Sequence, residues 1–116
     1  MWNGIRDSVI SDLKEIKSQT GLNKLYITGI SLGGGLACIS FIDINHDKLF
    51  DTIKVVTFGA PRVGNKHWAA HFEALTNFES RRYLIKGDPI TVLPECITLL
   101  CNYRHTGIKI VCHKDS

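Results

Sequence analysis

With 116 residues, 44% of them apolar and 22% charged, the chain has the composition of one globular domain with a single core and is too short for two. Its net charge of +3 arises from lysines and arginines scattered everywhere but at Arg81-Arg82, so it lacks the basic stripe that nucleic acid demands. No run approaches the roughly 20 apolar residues of a membrane span, and Arg6, Asp7, Asp12, Lys14, Glu15 and Lys17 exclude a secretory signal from the opening stretch, so a cytoplasmic location is the expectation.

Ile5, Val9, Leu13 and Ile16 recur at helical spacing, flanked by Ile10, and predict an amphipathic helix ending at Thr20-Gly21, where glycine accepts the left-handed cap conformation. "KLYITG" follows without polar alternation, the pattern of a strand buried on both faces. "LGGGLACISFIDI" reads as a mostly apolar helix, and "IKVVTFG" as a second buried strand. Asn65 is placed to cap a helix running through Ala69, Ala70, Phe72 and Leu75. "RRYLIKG" is a third strand, "DPITVLPECITLL" a loop, and "GIKIVC" a fourth strand. Helices alternating with strands predict an α/β fold with a mostly parallel sheet, whose right-handed crossovers bring all strand C-termini to one edge. Chemistry in such sheets sits at that edge.

The glycine run "YITGISLGGGLA" is compatible with three devices. A phosphate-binding loop requires a lysine where Gly35 stands. A dinucleotide fingerprint requires glycine where Ser31 stands, together with an acidic residue ending a second strand about 20 positions on, and no acidic residue ends such a strand here. Gly29-Ile30-Ser31-Leu32-Gly33 does fit Gly-x-Ser-x-Gly, between a predicted strand and a predicted helix. In that device the serine occupies a sharp turn, the flanking glycines leave room where strand and helix crowd, and the Leu32 N–H points to where an oxyanion forms. The blander alternative is a glycine-rich turn whose serine only caps the helix.

A nucleophilic serine needs a base, and the base needs an orienting acid, in the chain order Ser, Asp or Glu, His. Asp88 follows the third strand and so falls on the same edge as Ser31, although Asp-Pro is also a common turn opener. His46, in the loop expected after the glycine-run helix, and His67 and His71 all precede Asp88. The last two lie four apart with Trp68 where a metalloprotease carries glutamate, so they read as a surface pair and no metal is expected. Of four cysteines, at 38, 96, 101 and 112, none forms a Cys-x-x-Cys pair; Cys96 and Cys101 bridge only in an oxidising compartment.

At this point "YITGISLGGGLA", "VVTFGAPRVGN" (55–65), "KGDPITVLP" (86–94) and "YRHTG" (103–107) together resemble the class 3, fungal-type lipases of the α/β-hydrolase superfamily. The resemblance implies a single partial domain over 1–116: about four strands of a three-layer fold with helices on both faces, the N-terminal strands and lid lying outside. It implies hydrolysis of ester bonds of acylglycerols or related lipids without a cofactor. It assigns Ser31 as nucleophile, Asp88 as triad acid and the Leu32 N–H as one oxyanion donor. Lipid or small ester substrates, a transient lipid surface and the remainder of the domain are the implied partners; the alternative is an inactive lipase-like fragment or binding module. His105 matches a histidine that is not the family's base. The expected base lies beyond Ser116, with His113 a second candidate on chain order. Trp2 stands where the family's approach to the first helix has histidine, and Ile30 where it often has histidine before the serine.

Overall fold

The computed structural model describes residues 1–76, 79–93 and 103–113. In chain order the elements are α1 (Trp2–Thr20), β1 (Lys24–Ile30), α2 (Leu32–His46), β2 (Thr52–Phe58), β3 (Gly64–Asn65), α3 (Lys66–Leu75), β4 (Arg81–Ile85), a 3₁₀ turn (Pro89–Val92), β5 (Tyr103–Arg104) and β6 (Ile108–Cys112). β1, β2, β4 and β6 pair side by side in that order, all parallel, with Ile30 beside Phe58, Phe58 beside Tyr83, and Ile85 beside Cys112. The alternating helix–strand reading of the sequence is therefore realised, and the C-terminal ends of the four strands share one edge.

Each helix begins and ends where local chemistry dictates. α1 stops at Gly21, whose φ of 71° is left-handed and whose N–H donates to Lys17 O at 2.8 Å. α3 starts at Asn65, whose side-chain oxygen accepts the Trp68 N–H at 2.9 Å. His46 closes α2 as its last residue, not a loop residue as its position suggested, because the apolar face of α2 continues through Ile44.

The core lies between the helices and one face of the sheet. Cys38 and Phe41 of α2, Val55 of β2 and Phe72 of α3 form one buried cluster; Trp2 and Ile10 of α1 join Ile44 of α2 in another. Ile27 and Ile53 border both clusters and Leu25 borders the second, so α1, α2 and α3 all pack on the same face. Phe41 and Phe72 meet edge to face at 5.3 Å, and burying each such side chain contributes roughly 1.5–3 kcal/mol. The opposite face carries Tyr26, 67% exposed, and Ile30, 75% exposed, beside Phe58 and Ile85. β1 is thus half-buried, a correction to its reading as a strand covered on both sides. An apolar run without polar alternation does not reveal whether anything covers the second face.

The sequence stripe on α1 is also shifted. Trp2 and Ile10 are buried while Ile5 and Ile16 are exposed. Asp43 of α2 sets this rotation, accepting the Trp2 indole N–H at 2.7 Å and the Arg6 Nε–H at 3.1 Å. Trp2, which departs from the family pattern, therefore clamps α1 onto α2. Two further features had no sequence expectation: the antiparallel pairing of β3 with β5 and the 3₁₀ turn after Asp88. The rest of the expected loop, and with it Cys96 and Cys101, lies outside the described residues. Cys38 and Cys112 are free thiols, and burial pushes Cys38 up to about 11.

Candidate active site

Ser31 joins β1 to α2 with φ 54° and ψ −124°, a conformation that L-residues adopt only under constraint and that stores on the order of 1–3 kcal/mol. Its N–H donates to Phe58 O at 2.8 Å, and its carbonyl accepts the N–H groups of Gly34 at 2.9 Å and Gly35 at 3.4 Å. Its hydroxyl makes no capping hydrogen bond, so the side chain is not a helix cap and is left available at the sheet edge. Leu32 follows as the first residue of α2, half-turned into solvent at 64% exposure. Among the described residues its N–H has no backbone acceptor, and it stands at the positive end of the helix.

The glycines divide the work unequally. A Cβ on Gly29 would sit 2.1 Å from Gly33 O, and one on Gly34 would sit 2.8 Å from the Ala60 Cβ. A Cβ on Gly33 would meet nothing within 4 Å. Room on both sides of the serine was the expectation; in fact Gly29 makes the room, and the Gly33 backbone occupies it.

Asp88 leads into the 3₁₀ turn. Its N–H donates to Ile85 O at 3.1 Å, its Oδ1 accepts the Ile90 N–H at 3.0 Å, and its carbonyl accepts the Thr91 hydroxyl at 2.7 Å. The Asp-Pro turn is therefore real, and it also fixes the carboxylate. Ser31 and Asp88 line one cleft of about 400 Å³, walled by Ile30, Phe58, Gly59, Tyr83, Ile85 and Cys112. Two residues 57 positions apart, 88 less 31, are thus brought to one site by the parallel order β1-β2-β4.

The histidines distribute differently. His67 and His71 are exposed on α3, as a surface pair should be, and among the described residues no group of three ligating side chains forms. His113, just past β6, shares a second cavity of about 580 Å³ with Asp88, Arg82 and His105, and Ser31 is not among that cavity's walls. His105 sits against Thr91 O through Nε2. Burial, and after it the Arg82 guanidinium, holds its imidazole down to about 4. His105 is therefore neutral at pH 7 and braces the turn carrying Asp88.

Sequence reasoning missed Gly59. Its φ is 63°, its N–H donates to Tyr83 O at 2.7 Å, and a Cβ there would lie 3.1 Å from Asp88 Oδ2. The signal was present as a glycine directly after a predicted strand, but nothing in the sequence says which side chain approaches it.

A parallel sheet carrying a strained serine between strand and helix, with an aspartate two strands away at the same edge, defines an α/β hydrolase. The chain belongs to the class 3 lipase family, whose model, described as Lipase (class 3), matches residues 1–98. It is 29% identical over 102 residues to secreted mono- and diacylglycerol lipase 2 of Gibberella zeae, covering 80% of this chain and 25% of that protein. It is 32% identical over 93 residues to secreted mono- and diacylglycerol lipase A of Penicillium camembertii, covering 80% of this chain and 30% of that one. Among solved structures, the mono- and diacylglycerol lipase of Aspergillus oryzae superposes with a TM-score of 0.79 at 30% identity, over 93% of this chain and 38% of that one. The lipase of Rhizopus microsporus var. chinensis gives a TM-score of 0.86 at 23% identity, over 99% and 40%, a likeness of fold. The chain thus spans between a quarter and two fifths of these relatives.

Proposed function

We propose that the protein is a serine hydrolase that cleaves the carboxylic ester bonds of acylglycerols or related lipids, with Ser31 as nucleophile, Asp88 as the acid that orients the base, and the Leu32 N–H as an oxyanion donor. The observation carrying this reading is the cleft in which the uncapped, strained Ser31 meets Asp88. The Ser31 oxygen attacks the ester carbonyl carbon while a histidine held by Asp88 takes its proton. The oxygen of the tetrahedral intermediate gathers the negative charge, which the Leu32 N–H and the end of α2 stabilise. The bond to the leaving alkoxide then breaks, and the histidine returns its proton to that oxygen. Water, deprotonated by the same histidine, releases the acyl group as a carboxylic acid and restores Ser31.

His113, the candidate base on chain order, shares a cavity with Asp88 whose walls do not include Ser31. The apolar walls supplied by Ile30, Phe58, Tyr83 and Ile85 suit an acyl chain, and the exposed side chains of Ile30 and Leu32, flanking Ser31 in sequence, suit brief contact with a lipid surface.

A fluorophosphonate probe tests the assignment: the adduct maps to Ser31, and Ser31→Ala abolishes both labelling and short-chain ester hydrolysis. A folded protein that hydrolyses nothing and leaves Ser31 unlabelled overturns it in favour of a lipase-like binding module.

A further inference from the structure

We infer that Phe58-Gly59 is the positioning element of the site, setting Ser31 and Asp88 against each other, and that Asp88 Oδ2 is the oxygen presented to the base. The inference rests on the roles proposed for Ser31 and Asp88. Phe58 ends β2 with its carbonyl accepting the Ser31 N–H at 2.8 Å, which pins the nucleophile's turn to the neighbouring strand. The next residue, Gly59, donates its N–H to Tyr83 O at 2.7 Å, which pins the same dipeptide to β4, the strand leading to Asp88. The Phe58 and Tyr83 rings stack at 5.3 Å and brace that junction. Asp88 Oδ1 is engaged by the Ile90 N–H, and among the described residues no donor reaches Oδ2, so Oδ2 is the oxygen open to a further partner. It is also the oxygen that lies 3.1 Å from the place of a Gly59 Cβ. The bare Cα of Gly59 is therefore the wall against which the catalytic carboxylate rests, and any side chain there displaces it.

Gly21 supplies the control. Its φ of 71° matches the 63° of Gly59, yet a Cβ there meets nothing within 4 Å, and it caps α1 away from the cleft. Gly21→Ala and Gly59→Ala both place a side chain at positive φ, and only the second brings its Cβ against Asp88. In the protein at its natural length, both substitutions lower the melting temperature. Gly59→Ala alone lowers kcat, on the order of 10²-fold for a misplaced catalytic group, and leaves KM within about two-fold, as expected when substrate binding is untouched. Combined with Asp88→Ala it adds no further loss, because it acts through that carboxylate. The Asp88 carboxyl carbon resonance shifts in Gly59→Ala and stays put in Gly21→Ala. Gly59→Asn carries the same Cβ on a residue that tolerates the left-handed region, and serves if the alanine variant does not fold.

Unchanged kcat in Gly59→Ala, full additivity with Asp88→Ala, or an unmoved Asp88 resonance overturns the inference. The resonance reads the contact whatever the chemistry. Ser31→Ala assayed alongside reports separately on the catalytic reading, which fails if that variant still hydrolyses.

Discussion

The two halves of the cleft are mounted by different physics. Ser31 has backbone hydrogen bonds too, but packing sets its geometry: a strand and a helix approach so closely that Gly29 and Gly34 admit no methyl group, and the serine backbone sits at positive φ. Asp88 is held by hydrogen bonds of a short turn, three of them to its own N–H, Oδ1 and carbonyl, with Gly59 as a backstop. Packing is indifferent to pH and intolerant of volume. Hydrogen-bonded turns accept isosteres and answer to protonation. Substitutions on the two sides should therefore fail in different ways.

The largest expected effect separates chemistry from stability on the acid side. Asp88→Asn preserves the acceptor for the Ile90 N–H, so the melting temperature holds while kcat falls on the order of 10⁴-fold, about 5 kcal/mol of barrier. An asparagine variant that melts much earlier would mean that the carboxylate charge, and not the turn geometry, holds this half together.

On the serine side, Gly29→Ala costs on the order of 3 kcal/mol or more through overpacking against the Gly33 carbonyl, seen as a lost or much lowered urea midpoint. Gly33→Ala, with nothing within 4 Å of its new methyl group, gains up to about 1 kcal/mol of helix propensity. Equal responses at the two glycines would break the packing account of the strand–helix turn at Ser31.

A gain of similar size is expected from Ser31→Gly. Relief of the positive-φ strain, less the entropy cost of glycine, stabilises the fold by about 1 kcal/mol while removing the proposed nucleophile. A lowered urea midpoint would show that the serine side chain itself contributes to the fold.

A further effect is confined to the acid side. His105 titrates at about 4 in the fold, against 6.5 for the free imidazole, so below pH 6.5 the unfolded chain binds more protons. Its contribution is complete above pH 6.5 and is lost as pH falls toward 4. Urea melts across that window should slope in the native chain and flatten in His105→Gln. An unchanged slope would assign the titration elsewhere.

How much of this was readable beforehand follows from sequence distance. The Gly-x-Ser-x-Gly turn declares itself because its requirements fall within five consecutive residues and two flanking patterns. Asp88 was found by topology: parallel strands share an edge, so a strand-terminal aspartate arrives there whatever the loop does. Long-range contacts left no local mark. Nothing at Asp43 announces that Trp2 and Arg6 will donate to it from the far end of the chain. Nothing at Gly59 names Asp88. Periodicity put Ile5 and Ile16 in the core, and a tertiary hydrogen bond rotated them out. The two-residue strands β3 and β5 were too short to have any pattern at all.

The acceptor of the Ser31 N–H has a kinetic consequence. That acceptor, Phe58 O, ends a strand that joins β1 only after α2 has crossed back over the sheet. Parallel pairing of this kind is non-local and forms late, since the loop must close before contacts reward it. The reactive geometry at Ser31 cannot exist in a chain that has folded only its N-terminal helix and first strand. During refolding, covalent capture at Ser31 should therefore lag helix formation, so a probe aimed at the proposed nucleophile also times the completion of the sheet.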